Sequence, residues 1–250
     1  MDYLNYGKQV KQKPQGFVQL TKDDHSFGDL TLTQEQAIPQ NKDELIQLFP
    51  VPVLICSCPF DYSMEFEWIK KQSYRKGNEN IETRQVLNRQ SNDTFILDKP
   101  EMSRVRQFID IKLKEYVVNI MGSDNEMIIT QSWLNKNGKA ESHHEHKHPN
   151  SMISGVWYPQ IHEKLPPIQF RDSQQRDVSL SIKKYNNFNS TTFMLPMKKG
   201  ELILFPSNLQ HSVPVNPSDE ERISLSFNTW VKGNLGNEKH LTYLPLDRCV

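Results

Sequence analysis

The segment from His143 to His148, HHEHKH, holds four of the eight histidines in this 250-residue chain. Side chains on an extended strand alternate between two faces, so His146 shares a face with His148 and also with His144. Either pair offers two imidazole ligands to one metal ion. His143 and Glu145 share the opposite face and offer an imidazole together with a carboxylate. The spacing therefore predicts a strand that carries a metal site, and it leaves the register of that site open.

A lone histidine, His211, lies about sixty residues further along the chain. It follows an apolar strand-like segment at 201–205, which a glycine turn introduces and Pro206 ends. We expect His211 just past the end of this strand, where a ligand faces the mouth of a barrel. A facial set of three protein ligands with open positions is typical of Fe(II) oxygenases, whose usual set is two histidines and one carboxylate.

Arg222 opens another strand-like segment, in which Ser224 and Ser226 occupy the same face as the arginine. A buried guanidinium requires a partner carboxylate, which it can bind through two parallel hydrogen bonds. A co-substrate that carries a carboxylate would provide this partner beside the metal. The alternative is a structural ion pair between Arg222 and either Glu201 or Glu220.

The chain changes character near Glu126. Two helices are predicted before this point, one at 61–76 and a second that opens at Pro100 and ends near Gly122. An apolar strand at 48–56 carries two prolines, which favour a sheet edge. Eight further strand-like segments alternate with Gly, Pro and Asn turns, at 127–135, 142–148, 152–158, 168–170, 178–182, 191–194, 201–205 and 223–231. This pattern predicts a mainly β protein, a double-sheet jelly roll with helices on one outer face.

Composition excludes several classes of protein. The 30 basic and 30 acidic residues give a net charge of zero, which does not favour general binding to nucleic acid or to an anionic membrane. No apolar stretch approaches the ~20 residues of a membrane helix, and the first residues do not resemble a signal peptide. Three cysteines are too few and odd in number for a secreted disulfide scaffold. We expect a soluble cytoplasmic protein, with a polar arm at 1–44 that packs on the core or is partly disordered, and one domain at 45–250.

Several sequence blocks, in order along residues 45–246, resemble a family of 2-oxoglutarate/Fe(II)-dependent oxygenases found in tailed bacteriophages and marine bacteria. They are WLN at 133–135, Gly138, HKHPNS at 146–151, SGVWY at 154–158, FPS at 205–207 with His211, and RISLSFN at 222–228. The resemblance implies a double-stranded β-helix, which is the jelly-roll or cupin-like core of such enzymes. If a bacteriophage encodes the protein, we expect it in the cytoplasm of the host cell.

The same resemblance implies the metal ligands. It selects His146 and His148 from the cluster and adds His211 as the third ligand to Fe(II). This set departs from the wider superfamily, in which the second ligand is Asp or Glu. Three neutral imidazoles leave the metal ion more positively charged than usual, and they also suit Zn(II), Ni(II) or Co(II).

For the co-substrate, the resemblance implies that 2-oxoglutarate chelates iron beside O2 and that its far carboxylate pairs with Arg222, helped by the Ser224 hydroxyl. Asn135 is a further candidate contact, with a turn at the end of a strand as the alternative interpretation. No catalytic residue is expected beyond the metal centre. Oxidative decarboxylation to succinate and CO2 then drives hydroxylation of a C–H bond, with the protein providing orientation and shielding.

The implied function is a dioxygenase whose substrate, a small metabolite, a nucleotide or a protein side chain, the sequence does not identify. An alternative is a non-catalytic metal-binding jelly-roll module that acts as a binding or virion-associated protein. A third class, a cupin-like zinc isomerase or hydrolase, would be favoured by the absence of an arginine at 222, and Arg222 is present. The sequence specifies no oligomeric state, and a homodimer is one option.

Overall fold

A computed structural model describes residues 49–76, 88–172 and 180–246 of the chain. The predicted arm at 1–44 lies outside these residues and stays a prediction. Within the described residues, no helix is long and apolar enough to cross a membrane.

Two antiparallel sheets dominate the domain. The larger has seven strands in the order β1-β9-β6-β11-β4-β3-β2, and the smaller has four in the order β5-β10-β7-β8. Their bounds are β1 Leu54–Ser57, β2 Tyr74–Lys76, β3 Arg89–Ser91, β4 Met127–Asn137, β5 His143–His146, β6 Ile153–Gln160, β7 Ile168–Arg171, β8 Thr192–Leu195, β9 Glu201–Pro206, β10 Gln210–Val213 and β11 Arg222–Val231. This is the double-stranded β-helix that the sequence predicted.

Two helices cover the outer face of the larger sheet. They are α1, Ser63–Lys70, and α2, Ser103–Asn119. One turn of 3-10 helix, Pro100–Met102, leads into α2, so the proline occupies the first turn as expected. The apolar side of α2 packs on outward-facing strand residues of this sheet, including Trp157, Leu204 and Leu225, to form the larger of two cores.

The second core lies between the sheets. It combines inward-facing residues of β6 and β9 with residues of β7 from the smaller sheet, and its largest members are Tyr158, Phe170 and Phe205. Neighbouring residues on a strand alternate between the two cores, since Leu204 contacts the helix side and Phe205 the inner side. Long strands of the larger sheet are therefore buried on both faces, and only their inner face reaches the space between the sheets.

The first predicted helix was too long. Residues 61–76 were expected to be helical, but α1 ends at Lys70 and Tyr74–Lys76 form strand β2. This strand pairs with β3, with Tyr74 opposite Ser91. Pairing with a strand distant in sequence overrides local helix propensity here, as tertiary contacts commonly do.

The strand predictions also need three corrections. A strand was expected at 178–182, but residues 180–182 are irregular, and 178–179 lie outside the described residues. Strand β10, Gln210–Val213, was not predicted at all, because His211 was placed beyond the end of the preceding strand. The strand expected at 48–56 begins only at Leu54, after both prolines, although β1 does lie at a sheet edge. The other seven segments of the eight are confirmed as strands β4 to β9 and β11.

Candidate metal and co-substrate site

Strands β5 and β10 bring together the histidines that are far apart in sequence. They pair antiparallel at the end of the smaller sheet, with His146 directly opposite His211. Residues directly opposite each other in such a pair point to the same face of the sheet. His148 follows β5 in a turn, where its backbone N–H donates to the carbonyl of Ser207 at 2.9 Å.

His146, His148 and His211 converge, and we name them the deep triad. Their ligand atoms all lie within 4.8 Å of one another. The ring centres of His146 and His211 are 4.4 Å apart, and that of His148 is 5.1 Å from each of the other two. These are the three histidines that the family resemblance implied.

Each ring of the deep triad is oriented by a hydrogen bond at Nδ1. The Nδ1 atom of His146 lies 2.8 Å from the carbonyl oxygen of His144, and that of His211 lies 2.9 Å from the carbonyl oxygen of Leu209. His148 makes its Nδ1 contact with the side-chain oxygen of Asn228. Because carbonyl and amide oxygens only accept hydrogen bonds, these partners place the proton on Nδ1 and leave each Nε2 lone pair free.

The rings are also held in the neutral form that binds metals. Burial, together with a smaller effect of the neighbouring imidazoles, lowers the pKa of His146 to about 4 and that of His211 to about 3. Burial lowers the pKa of His148 as well, against a raising effect of its hydrogen bond to Asn228. At neutral pH all three rings are therefore unprotonated at Nε2 and ready to coordinate a cation.

The spacing of one pair of donor atoms matches adjacent positions of an octahedral transition metal. The Nε2 atoms of His146 and His148 are 3.1 Å apart. Metal–imidazole bonds of about 2.1 Å at a right angle place two nitrogens about 3.0 Å apart. Two unprotonated nitrogens at this distance repel each other unless a cation lies between them, so the deep triad fits a divalent metal ion.

A β-bulge decides which other members of the histidine cluster face the site. Val213 of β10 pairs with His143 and His211 pairs with His146, so two steps on β10 match three on β5. The extra residue breaks the alternation of side chains, and His143 lies on the same face as His146, with ring centres 4.5 Å apart. The expectation that His143 and Glu145 share a face opposite to His146 is therefore wrong.

Glu145 takes no part in the site. Its carboxylate forms an ion pair with Arg171 at 2.5 Å and accepts a hydrogen bond from Gln210 at 2.8 Å. The pairing of His143 with this carboxylate, which would have given the usual two-histidine, one-carboxylate set, is thus not formed. The centre that the described residues build is made of imidazoles.

Arg222 lies on the inner face of the larger sheet, beside the deep triad. Its side chain is buried and lines the same cavity as the three histidines. One guanidinium nitrogen donates to the hydroxyl of Ser224 at 3.2 Å, and the guanidinium carbon lies 5.1 Å from the centre of the Tyr158 ring. Both predicted residues of β11, Arg222 and Ser224, therefore face the cavity together.

Arg222 has no carboxylate partner within the described part of the chain. The suggested ion pairs with Glu201 and Glu220 are not formed, because the Glu220 carboxylate contacts His162 at 2.8 Å and that of Glu201 accepts the N–H of Lys198 at 2.7 Å. The Nε atom of Arg222 is buried without a hydrogen bond. A buried, unpaired guanidinium is costly, and an anion in the cavity would compensate it.

Asn135 lines the cavity from β4, directly opposite Ser224. Its amide nitrogen donates to Ser226 at 2.9 Å, and its amide oxygen accepts from Asn88 at 3.3 Å. The alternative interpretation as a turn residue is wrong, since β4 continues to Asn137. Asn135 is held in place by two side chains, and it faces the same space as Arg222.

Sequence reasoning missed two residues that shape the cavity. Tyr158 was not assigned a role in the site, but its ring lies next to Arg222, and burial raises the pKa of its hydroxyl to about 12, which keeps it a hydrogen-bond donor. Trp133 stacks on His148, with ring centres 5.8 Å apart, and its buried N–H has no hydrogen-bond partner. Trp133 lies in the block WLN and Tyr158 in the block SGVWY, and the alternation of side chains along β4 and β6 was the signal that could have placed them on the inner face.

Part of the chain matches the sequence model of a known protein family. Residues 131–228 match the sequence model of a family described as "Putative 2OG-Fe(II) oxygenase", a range that includes all three histidines of the deep triad and Arg222. No curated protein sequence is significantly similar to the chain.

Solved structures share the fold. A 2OG-Fe(II) oxygenase family oxidoreductase from Burkholderia pseudomallei is 10% identical, with a TM-score of 0.51 over 71% of this chain and 83% of its own. HygX from Streptomyces hygroscopicus, with nickel, 2-oxoglutarate and hygromycin B bound, is 10% identical, with a TM-score of 0.52 over 72% and 82%. The epimerase SnoN from nogalamycin biosynthesis is 11% identical, with a TM-score of 0.52 over 74% and 80%.

Proposed function

We propose that this protein is a 2-oxoglutarate- and Fe(II)-dependent dioxygenase that hydroxylates a C–H bond of its substrate. The family match indicates a 2OG-Fe(II) oxygenase, with iron and 2-oxoglutarate as its cofactor and co-substrate. The observation that carries the proposal is the juxtaposition of the deep triad with Arg222, a buried guanidinium that lacks a carboxylate. One half of the cavity fits a metal ion and the other half fits an anion.

The metal ligands in this proposal are His146, His148 and His211. Bound there, iron would supply the reaction with dioxygen that couples oxidation of 2-oxoglutarate to hydroxylation. The protein holds the three Nε2 lone pairs toward one point through the Nδ1 hydrogen bonds to the His144 and Leu209 carbonyls and to Asn228. Such partners fix both the tautomer and the direction of a ligand ring.

The co-substrate ligands are Arg222 and Ser224, with Asn135 beside them. The guanidinium has a donor to spare, because its buried Nε–H has no hydrogen-bond partner, whereas one terminal nitrogen donates to Ser224. A carboxylate placed against it would receive two parallel charge-assisted hydrogen bonds in a site from which water is largely excluded. Ser224 orients the arginine and adds a hydroxyl, while the Asn135 amide stays fixed by Asn88 and Ser226.

The test follows turnover of the co-substrate. We expect purified protein with Fe(II), 2-oxoglutarate and ascorbate to form succinate slowly even without a substrate, as measured by mass spectrometry. His211→Ala should lower this rate by at least about a hundredfold, because losing a ligand costs more than the 10–100-fold that loss of an outer partner costs. His162→Ala is the matched control, since His162 is part-exposed and its ring, among the described residues, hydrogen-bonds with the Glu220 carboxylate and the N–H of Lys164, away from the cavity.

Two results would count against the proposal. Equal succinate formation by wild type and His211→Ala would show that turnover arises from free iron. No turnover, together with no rise of the unfolding temperature on addition of 2-oxoglutarate, would instead favour the non-catalytic metal-binding module. Substrate identity is then approached by adding candidate small molecules and peptides and measuring the increase in succinate formation.

A further inference from the structure

We propose that His143, His144 and His146 form a second site for a divalent transition metal, which competes with the deep triad for the ring of His146. We name these three residues the shallow triad. This site is independent of the dioxygenase assignment, because it concerns metal binding alone. Its occupation would remove one ligand from the deep triad and so disable whatever that triad does.

The geometry of the shallow triad is close to that of the deep triad. Its ligand atoms also lie within 4.8 Å of one another. The ring centre of His143 is 4.5 Å from that of His146 and 5.3 Å from that of His144, and the His144 and His146 centres are 5.0 Å apart. Three imidazoles at these distances can reach one ion with small rotations of the exposed His144 side chain.

The β-bulge in β5 creates this second cluster. In an unbroken strand, His143 would point away from His146, and the two rings would lie on opposite faces. The bulge turns the His143 side chain into the cavity. There, burial lowers the pKa of His143 well below its usual value, and the neighbouring imidazoles and Arg222 add to this effect. His144 remains exposed at the outer end, so the shallow triad runs from the cavity to the surface.

His146 cannot serve both triads at the same time. Its Nδ1 lies 2.8 Å from the backbone carbonyl of His144, so only Nε2 carries a free lone pair. In the deep triad, that same Nε2 lies 3.1 Å from the Nε2 of His148. An ion therefore occupies one triad or the other, and the protein binds one ion in total across the two.

The ligand chemistry selects the class of ion. The shallow triad contains no carboxylate, because Glu145 is held by Arg171 and Gln210 on the other side of the strand. Neutral imidazoles prefer Zn(II), Ni(II) and Cu(II), whereas Mg(II), Ca(II) and Mn(II) prefer oxygen ligands. The site is thus expected to respond to the first group of metals and to ignore the second.

The test removes the deep triad and asks whether metal binding survives. In His148→Gln/His211→Gln, we expect isothermal titration with Ni(II) to show one ion per chain. Adding His143→Gln to this background should weaken Ni(II) binding by about tenfold or more, since one of the three remaining ligands is lost. Adding His162→Gln instead is the matched control and should leave the dissociation constant of Ni(II) unchanged.

The proposal is overturned if the double variant binds Ni(II) no more tightly than the triple variant with His143→Gln. Circular dichroism spectra of all variants establish that they are folded. Should the double variant fail to fold, wild-type crystals soaked in Ni(II) provide the second measurement. Anomalous difference maps are then expected to show peaks at both triads with occupancies that sum to one, and a single fully occupied peak at the deep triad would refute the shallow site.

Discussion

The two faces of strand β11 have opposite compositions. On the side of helix α2 lie Ile223, Leu225 and Phe227, all buried in the larger core. On the other side lie Arg222, Ser224, Ser226 and Asn228, all polar and directed to the space between the sheets. The first face makes apolar contacts with its neighbours, whereas the second contains a guanidinium nitrogen without a hydrogen bond.

The apolar face of β11 stabilises the fold, whereas the polar face contains buried groups that destabilise it. Burial of apolar side chains on the helix side is favourable by about 1.5–3 kcal/mol for each large residue. On the inner side, the unpartnered atoms of Arg222, Asn137 and Trp133 represent polar groups removed from water without full compensation. The indole nitrogen of Trp157 on the helix side also lacks a partner, so unpartnered atoms alone do not separate the two faces. What distinguishes the inner face is the buried charge of Arg222, which a bound anion would compensate.

The sharpest test of this contrast is Arg222→Met. We expect it to weaken 2-oxoglutarate binding by about 30-fold to several thousand-fold, because loss of a buried charge-assisted pair costs about 2–5 kcal/mol. The free energy of unfolding without ligand should stay equal or rise, since an unpaired buried charge is replaced by an apolar chain. Calorimetric titration with 2-oxoglutarate and urea unfolding measure the two effects, and retained Ni(II) binding is the control. A loss of metal together with stability would show that the arginine is structural.

Leu225→Ala tests the opposite face of β11, on the helix side of the strand. It should lower the free energy of unfolding by about 2–5 kcal/mol, since Leu225 is fully buried and its removal leaves a cavity. The dissociation constants of metal and 2-oxoglutarate should stay within about twofold of the wild-type values, because the residue does not face the cavity. A large loss of 2-oxoglutarate affinity in folded protein would mean that the two faces are coupled, which contradicts the division of roles.

Asn228→Ala tests whether Asn228, on the inner face, contributes to metal binding by orienting the ring of His148. Asn228 accepts the Nδ1 hydrogen bond of His148 and does not belong to either triad. We expect a loss of about 10–100-fold in metal affinity, the usual cost of removing a partner that orients a ligand. Titration with Ni(II) measures it. Asn228→Asp, which keeps an accepting oxygen, should restore most of the affinity, and failure of this rescue would indicate a packing defect.

The final test of this contrast is the pH dependence of the metal-free protein. Unfolded histidine titrates near pH 6.5, whereas burial lowers the pKa of His146 to about 4 and that of His211 to about 3 in the folded state. As the pH falls from about 6.5 toward 4, His146 and His211 become protonated in the unfolded chain but stay neutral in the folded protein. The free energy of unfolding therefore decreases over this range. The unfolding temperature should therefore decrease over this window, and less steeply in His211→Gln. Identical slopes in the two proteins would contradict the burial of a neutral ring.

Local sequence patterns predicted most of the fold because those patterns follow directly from strand and helix geometry. Alternation along 223–231 identified strand β11, the apolar segment at 201–205 between a glycine turn and Pro206 identified β9, and apolar periodicity after Pro100 identified α2. The short strands β2 and β10 escaped because their structure depends on distant partners, Ser91 for Tyr74 and Phe170 for His211. Their few residues carry no period of their own.

Some features of the candidate site also follow from local sequence, whereas others depend on pairing with distant strands. By itself, the sequence determined the ligand chemistry, an imidazole cluster with a distant histidine, and the shared face of Arg222 and Ser224, because alternation within one regular strand is a local property. Only the tertiary structure decided that Glu145 turns away while His143 turns inward. That outcome depends on the bulge in β5, which is set by its register with β10 some sixty residues later. Period-2 alternation holds only along an unbroken ladder, and where the ladder breaks is decided by the partner strand.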